Sequence, residues 1–279
     1  MIGQTHWLHR FRRRGPAVLA AVILALLAII AIFGPAVYGT DPWSMVAAPF
    51  LEPLEESEYL LGTDALGRDV AAGLIYGARL SLLIGLAASC AAMMIGVLLG
   101  AVAGYYRGAA DDFLMRCTET FQTIPSFIFL LVLVAIAGPS TVTIVIAIAL
   151  VSWPPIARLT RAEFLSLRER EYVQACILSG MGDMRIIFLQ ILPNAITPVV
   201  VMASILVANA ILSEAALSFL GLGDPNQITW GTMIGVGRES LRTAPYLCVL
   251  PGIAIFITVL AINLLGDGIN DVLNPRSSS

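Results

Sequence analysis

RLTRAEFLSLREREYVQACILSGMGDMRIIFLQILPN, Arg158 to Asn194, decides how this chain is read. It is the longest charged segment between two strongly apolar ones, with five Arg and four acidic residues. Two short amphipathic helices are legible in it. Ser166-x-x-Glu169 has the spacing of a capping box. Val173, Cys176, Ile177 and Gly180 follow at i, i+3, i+4 and i+7, which makes one apolar face. Ser179-Gly180-Met181-Gly182 breaks that helix, because glycine stops helices. Asp183 is placed to cap a second helix with Met184, Ile187, Phe188 and Ile191 on one face, and Leu192-Pro193-Asn194 ends the pattern. A helix–glycine turn–helix hairpin at a membrane surface is a shape another protein can grip. The plainer alternative is an ordered loop.

Composition sets the class. Hydrophobic residues make up 58% and charged residues 13%, against a usual value of about 25% charged, so an all-α integral membrane protein is expected. A net charge of −3 does not point to nucleic acid. All 16 basic residues are Arg and there is no Lys, which excludes a P-loop lysine and Schiff-base chemistry in this chain. Gly62-x-x-x-x-Gly67-Arg68-Asp69 imitates a phosphate loop but lacks its Lys and hydroxyl, and its Asp would repel phosphate. A tight turn with Asp64 and Asp69 near Arg68 is expected instead. Cys90, Cys117, Cys176 and Cys248 have no paired spacing and read as small buried hydrophobes. His6 and His9 stand without partners. With no Ser–His pair and no metal motif, no enzyme, catalytic residue, cofactor or metal site is expected.

Charge-free runs place the spans. The expected organisation is a tail at 1–15, a first span at 16–38, an external segment at 39–79, a core at 80–267 and a tail at 268–279. Within the core, spans are expected at about 80–106, 113–137, 141–157, 195–213 and 243–266, with the hairpin at 158–194. Pro125 should kink the second of these. Gly85, Ala88, Ser89, Gly96, Gly100 and Gly104 permit close helix packing in the first. Trp230 and Tyr246 read as interface aromatics. With both termini inside, Arg10, Arg12, Arg13, Arg14, Arg107, Arg116, Arg158, Arg161, Arg168, Arg170, Arg185 and Arg276 are cytoplasmic, leaving Arg68, Arg79, Arg238 and Arg242 outside. That bias puts the hairpin in the cytoplasm.

Glu119, Glu214 and Asp267 fall near span ends. Ionisable groups at such depth mark polar routes or sit as solvated interfacial carboxylates. Glu214, and after it Glu119, are the candidates for lining or gating a pathway. No series of mid-depth carboxylates supports a proton-coupled carrier.

Several stretches in register resemble the permease subunits of binding-protein-dependent ATP-binding-cassette importers. The similarity is to the dipeptide/oligopeptide/nickel branch and its second, C-type permease. They are LGTDALGRDV (61–70), EYVQACILSGMGDMRIIFLQILPN (171–194), SEAALSFLGLG (213–223), WGTMI (230–234) and INLLGDGINDVLNPR (262–276). The family's Glu-Ala-Ala, three residues, Gly and later Leu-Pro stand here as Gln174-Ala175-Cys176, Gly180 and Leu192-Pro193. Gln190 occupies a position often His, and Asn270 and Asn274 replace a usual Arg and Asp. The resemblance implies a type I importer permease fold of six transmembrane helices in a bacterial inner membrane. It makes the hairpin a coupling helix seated in a cytoplasmic ATPase, with Glu171, Gln174, Ala175, Cys176, Gly180, Met181, Asp183 and Pro193 as its residues. It further implies a homologous permease partner in a heterodimer, one or two ATP-binding subunits that hold ATP and Mg, and an extracytoplasmic solute-binding protein. The substrate would be a short peptide, or a nickel complex, opine or glutathione-like solute. The rival readings are a self-sufficient secondary transporter or channel, which wants inverted repeats and a mid-depth ion site, and a membrane scaffold.

Overall fold

An uncharged run in hydrocarbon must satisfy its own backbone, and a helix does so. The computed structural model describes residues 14–273, and each such run within it is helical. The Arg cluster at 10–13, both histidines, Asn274 and Arg276 lie outside the described residues. In chain order the helices are α1 (Gly15–Tyr38), α2 (Val70–Tyr106), α3 (Gly108–Thr123), α4 (Ser126–Ala137), α5 (Thr141–Arg168) and α6 (Glu171–Leu178). There follow α7 (Asp183–Ile186), α8 (Leu192–Phe219), α9 (Trp230–Gly237) and α10 (Tyr246–Leu273). Among the described residues β-pairing is confined to the isolated bridges Met45–Arg68 and Thr63–Asp69. Five helices are long and apolar enough to cross a membrane, and the bent pair α3–α4 makes six if it counts as one span.

Helices α8 and α10 run several residues past their expected ends, and three other boundaries differ in ways that bear on the packing. Helix α2 begins at Val70 rather than Leu80, because Asp69 caps it: the carboxylate accepts the Ala71 N–H at 2.8 Å. At 37 residues the helix is about 56 Å long, so it projects well beyond a ~30 Å hydrocarbon core. The span expected over 113–137 is broken rather than kinked, and α3 and α4 diverge by 84°. Ile124, the residue before Pro125, is extended (ψ 129°), as a residue preceding proline prefers. Helix α5 continues to Arg168 instead of ending near Ala157.

The continuation of α5 follows from its packing against α2. Gly96, Gly100 and Gly104 stand four residues apart on one face of α2 and meet the α5 backbone directly. A methyl group at Gly100 would lie 2.4 Å from the Ala157 carbonyl oxygen, at Gly96 2.8 Å from that of Trp153, and at Gly104 2.8 Å from that of Arg161. The small residues noticed in the sequence therefore do form a close helix seam. Ion pairs finish that end of the bundle. Arg161 grips Asp111 through two bonds of 2.5 and 2.6 Å, Arg107 meets Glu169 at 2.5 Å, and Arg14 pairs with Asp271.

The opposite end is closed by the 39–69 loop, the 220–229 loop and α9. Arg68 pairs with Asp64 at 2.6 Å and lies over the Trp43 ring, which is the expected tight turn. Trp230 is not an interface aromatic. It is fully buried, its indole N–H donating to the Leu74 carbonyl at 3.0 Å and its backbone N–H to Ser81 Oγ at 3.1 Å. The Tyr246 hydroxyl is bonded to the Leu51 and Thr63 carbonyls. Nor are the cysteines all buried: Cys90 is exposed and the other three are half-buried. Asp224 accepts both the N–H and the hydroxyl of Thr141, at 2.8 Å each. Burial alone would raise its pKa, but these bonds and the Asn226 N–H hold the carboxylate below its ordinary range. Its contribution is therefore complete above the ordinary carboxylate pKa and is lost as pH falls through the lowered value.

Gly100→Ala should cost about 1–3 kcal/mol through overpacking against an immovable backbone oxygen, seen as a melting temperature several degrees lower in detergent. Gly252→Ala, whose added methyl meets nothing within 4 Å, should melt no lower than the parent. Equal melting of the two variants would show that the α2–α5 seam does not limit stability.

Candidate functional site

The hairpin follows α5 after a two-residue turn and runs directly into α8. Ser166 lies inside α5, so the capping box does not form. Packing of the α5 stem on α2 outweighs a local cap, and the break comes instead at Glu169–Arg170, where Arg170 is extended. Asp183 is not a cap either. It is the first residue of α7, and its carboxylate accepts the Tyr105 hydroxyl from the end of α2 at 2.8 Å. Leu192-Pro193-Asn194 does not stop the chain. Residues Ile187–Ile191 form a π-turn in which the Leu192 N–H donates to the Ile187 carbonyl. This shift of register lets Pro193, without an N–H, open α8.

The turn between α6 and α7 is a Schellman motif. The Gly180 N–H donates to the Ile177 carbonyl at 3.0 Å and the Met181 N–H to the Cys176 carbonyl at 3.1 Å. Gly180 sits at φ +76° and an added side chain would meet open space, so the glycine is required by its left-handed backbone.

The hairpin has two faces. Inward, Val173, Ile186, Ile187 and Ile191 are buried against Ala101, Tyr105 and Phe164, with Cys176, Ile177 and Met181 packed beside them. Arg168 covers the Tyr105 ring. Outward lie Glu171, Gln174, Ala175 and Gly180, and Pro193 is exposed at the start of α8. The Gln174 side-chain amide donates to the Arg168 carbonyl at 2.9 Å. Of the expected face Met184/Ile187/Phe188/Ile191, only Ile187 and Ile191 turn inward. Met184 and Phe188 are exposed together with Leu189, and Leu178 is 87% exposed. These outward apolar residues were missed because their helical spacing reads as core; only tertiary placement shows which stripe the bundle uses.

The gate candidates separate. Glu214 is 1% exposed and buried in a polar knot, where its Oε1 accepts the hydroxyls of Thr229 (2.7 Å) and Ser218 (2.8 Å). Thr229 caps α9, so Glu214 fixes that short helix and faces no open space. Its Oε2 is buried and has no hydrogen-bond partner among the described residues. Glu119 is exposed on α3, before the 84° break that separates α3 from α4. The polar groups that do reach an open groove, between α4, α5 and α8, are Ser126, Ser152, Asn209 and Ser213. They carry no charge, and a search for ionisable residues passes over them. Their sequence signal is weak: Asn209 and Ser213 sit four apart in an apolar run.

Residues 96–279 match the family described as binding-protein-dependent transport system inner membrane component. The chain belongs to that family. Residues 4–53 also match the N-terminal TM domain of oligopeptide transport permease C. Among curated relatives, a di/tripeptide transport system permease protein of Pseudomonas aeruginosa is 41% identical, covering 95% of this chain and 90% of the relative. A dipeptide transport system permease protein of Alkalihalophilus pseudofirmus is 38% identical over 94% and 86%, and a glutathione transport system permease protein of Pectobacterium atrosepticum is 37% identical over 97% and 90%. This permease is thus a membrane component of an importer and not itself an enzyme. The family result also removes the self-sufficient carrier and the inert scaffold as readings.

Gly180→Ala should cost about 1–2 kcal/mol for the left-handed backbone, while Gly180→Asn should cost less. Amide exchange in 173–187 of the purified permease should quicken roughly fivefold or more for Ala, following local opening. Unchanged exchange would show that the hairpin is held by its inward face alone.

Proposed function

We propose that this permease forms, with a second homologous permease, the pathway through which an extracytoplasmic binding protein passes short peptides. Cytoplasmic ATPase subunits would drive it through the hairpin. The relatives named for di- and tripeptides support the substrate class. The absence of Lys from the sequence supports ATP and Mg being bound by partner subunits, with no cofactor in this chain. The Arg bias, with Arg107, Arg158, Arg161, Arg168, Arg170 and Arg185 at the hairpin end, supports cytoplasmic termini and a cytoplasmic hairpin.

One observation carries the coupling role. A hairpin that packs on the bundle through its inward face presents Leu178, Met184, Phe188 and Leu189 outward beside a side-chain-free Gly180. Large apolar side chains exposed together on a polar-rimmed tip mark an interface. Glu171, Gln174 and Ala175 on the same outward side would form its rim, and Pro193 would fix the exit of the chain into α8. Cys176, Met181 and Asp183 would act from within, by holding the tip on the bundle.

Leu178→Asp and Gly180→Arg should each reduce co-purified ATPase at least tenfold, the loss expected for an interface anchor worth about 2 kcal/mol. Leu66→Asp, at the other end of the molecule and likewise exposed, should leave it unchanged. Full ATPase recovery with both hairpin variants would sink the coupling assignment.

A further inference from the structure

The groove between α4, α5 and α8 has a volume of about 420 Å³ and no charged lining residue. Such a volume suits a small-molecule site. On α8 the lining runs Met202, Ile205, Leu206, Asn209, Leu212, Ser213, Ala216, one stripe at helical spacing. Glu214 points to the other side, into its knot with Ser218 and Thr229. Ser126, Ser152 and Asn209 each sit about 15–17 Å from the hairpin-distal ends of their helices at 1.5 Å per residue, close to half a hydrocarbon core. Ser213 lies one turn nearer that end.

This face does not suit lipid. Hydroxyls and a carboxamide without partners are costly in hydrocarbon. Ser204 and Ser218 on the same helix are bonded within the chain, whereas Asn209 and Ser213 side chains have no partner among the described residues. The face of α1 shows the contrast: its exposed side chains Leu19, Val22, Leu26, Ile29 and Phe33 are wholly apolar. A second observation points the same way. The break at Thr123–Ser126 leaves irregular backbone between two helices that pass as a span only together, and within a membrane such backbone is tolerated where it lines a protein-enclosed or watery cavity. Ser126, the first residue of α4, is in that break and in the groove.

We propose that this groove is the permease's share of the solute-contacting wall, with Asn209 as its central hydrogen-bonding group and Ser126, Ser152 and Ser213 around it. The carboxamide offers both donors and an acceptor, which matches the N–H and C=O of a peptide main chain. The lining has no charge with which to fix a peptide's termini, so the groove reads main-chain amides and tolerates varied side chains and lengths. The proposal rests on the peptide reading above.

The test uses the complete complex reconstituted in vesicles, with trialanine as solute. Asn209→Leu should lower trialanine uptake about tenfold, Ser213→Ala two- to threefold, and Asn209→Gln should recover most of the loss. In a chain with Cys90, Cys117, Cys176 and Cys248 replaced by Ser, Asn209→Cys should react with a membrane-impermeant thiol reagent, and trialanine with its binding protein should slow that reaction. Leu98→Cys, exposed on α2, should stay unreactive. Wild-type complex that moves other solutes but not trialanine overturns the peptide reading alone. Normal trialanine uptake by Asn209→Leu, or an Asn209→Cys variant that stays unreactive in every nucleotide state, overturns the groove. If Asn209→Leu fails to assemble, Asn209→Ser and the labelling decide between the same outcomes.

Discussion

The structure depends on one close contact, the backbone-to-backbone approach of α2 and α5 along Gly96, Gly100 and Gly104. In a bilayer there is little hydrophobic force to bring two helices together, since lipid tails are as apolar as leucine. Association has to come from packing, and packing is densest where no side chain intervenes. The seam reaches past the apolar run to Phe164, which is buried beside Gly104. It thereby carries α5 straight through residues whose local pattern favours a stop. The stem of the hairpin is thus an extension of a transmembrane helix and inherits its rigidity.

At the other side of the hairpin a π-turn achieves the same continuity. Five residues of wider winding carry the chain past Pro193 and into α8. The Tyr105 hydroxyl on Asp183 ties the tip to the end of α2 as well. In the proposed assembly, a displacement of the tip would therefore move α5, α8 and the end of α2 together. That is what a lever between a motor and a pathway needs, since packed helices shift as bodies and do not deform continuously.

Polarity inside the span region is used in two distinct ways. Glu214 is fully enclosed and bonded to Thr229 and Ser218, which sets α9 and the buried Trp230 in place. Asn209 and Ser213, just before it on the same helix, face outward into a groove. A helix turns about 100° per residue, so neighbours in sequence serve different surfaces. A buried carboxyl group serves the packing of α9 here, and amide and hydroxyl groups mark the open surface.

The hairpin and the helical spans were legible in the sequence because both rest on local chemistry. Uncharged runs must become helices in lipid, and Gly180 after an amphipathic octet ends a helix by its left-handed backbone. The family motifs lay in the same segments. Ser166, Asp183 and Pro193 were misread because a cap or a proline states only a local preference, and packing of α5 on α2 and the π-turn outweighed it. Which stripe of residues 184–191 faces outward, that Glu214 is enclosed within the chain, and how Ser126, Ser152 and Asn209 converge from three helices were decided by tertiary structure alone. Helical periodicity shows which residues share a face, but the partner that face meets depends on helices far away in the chain.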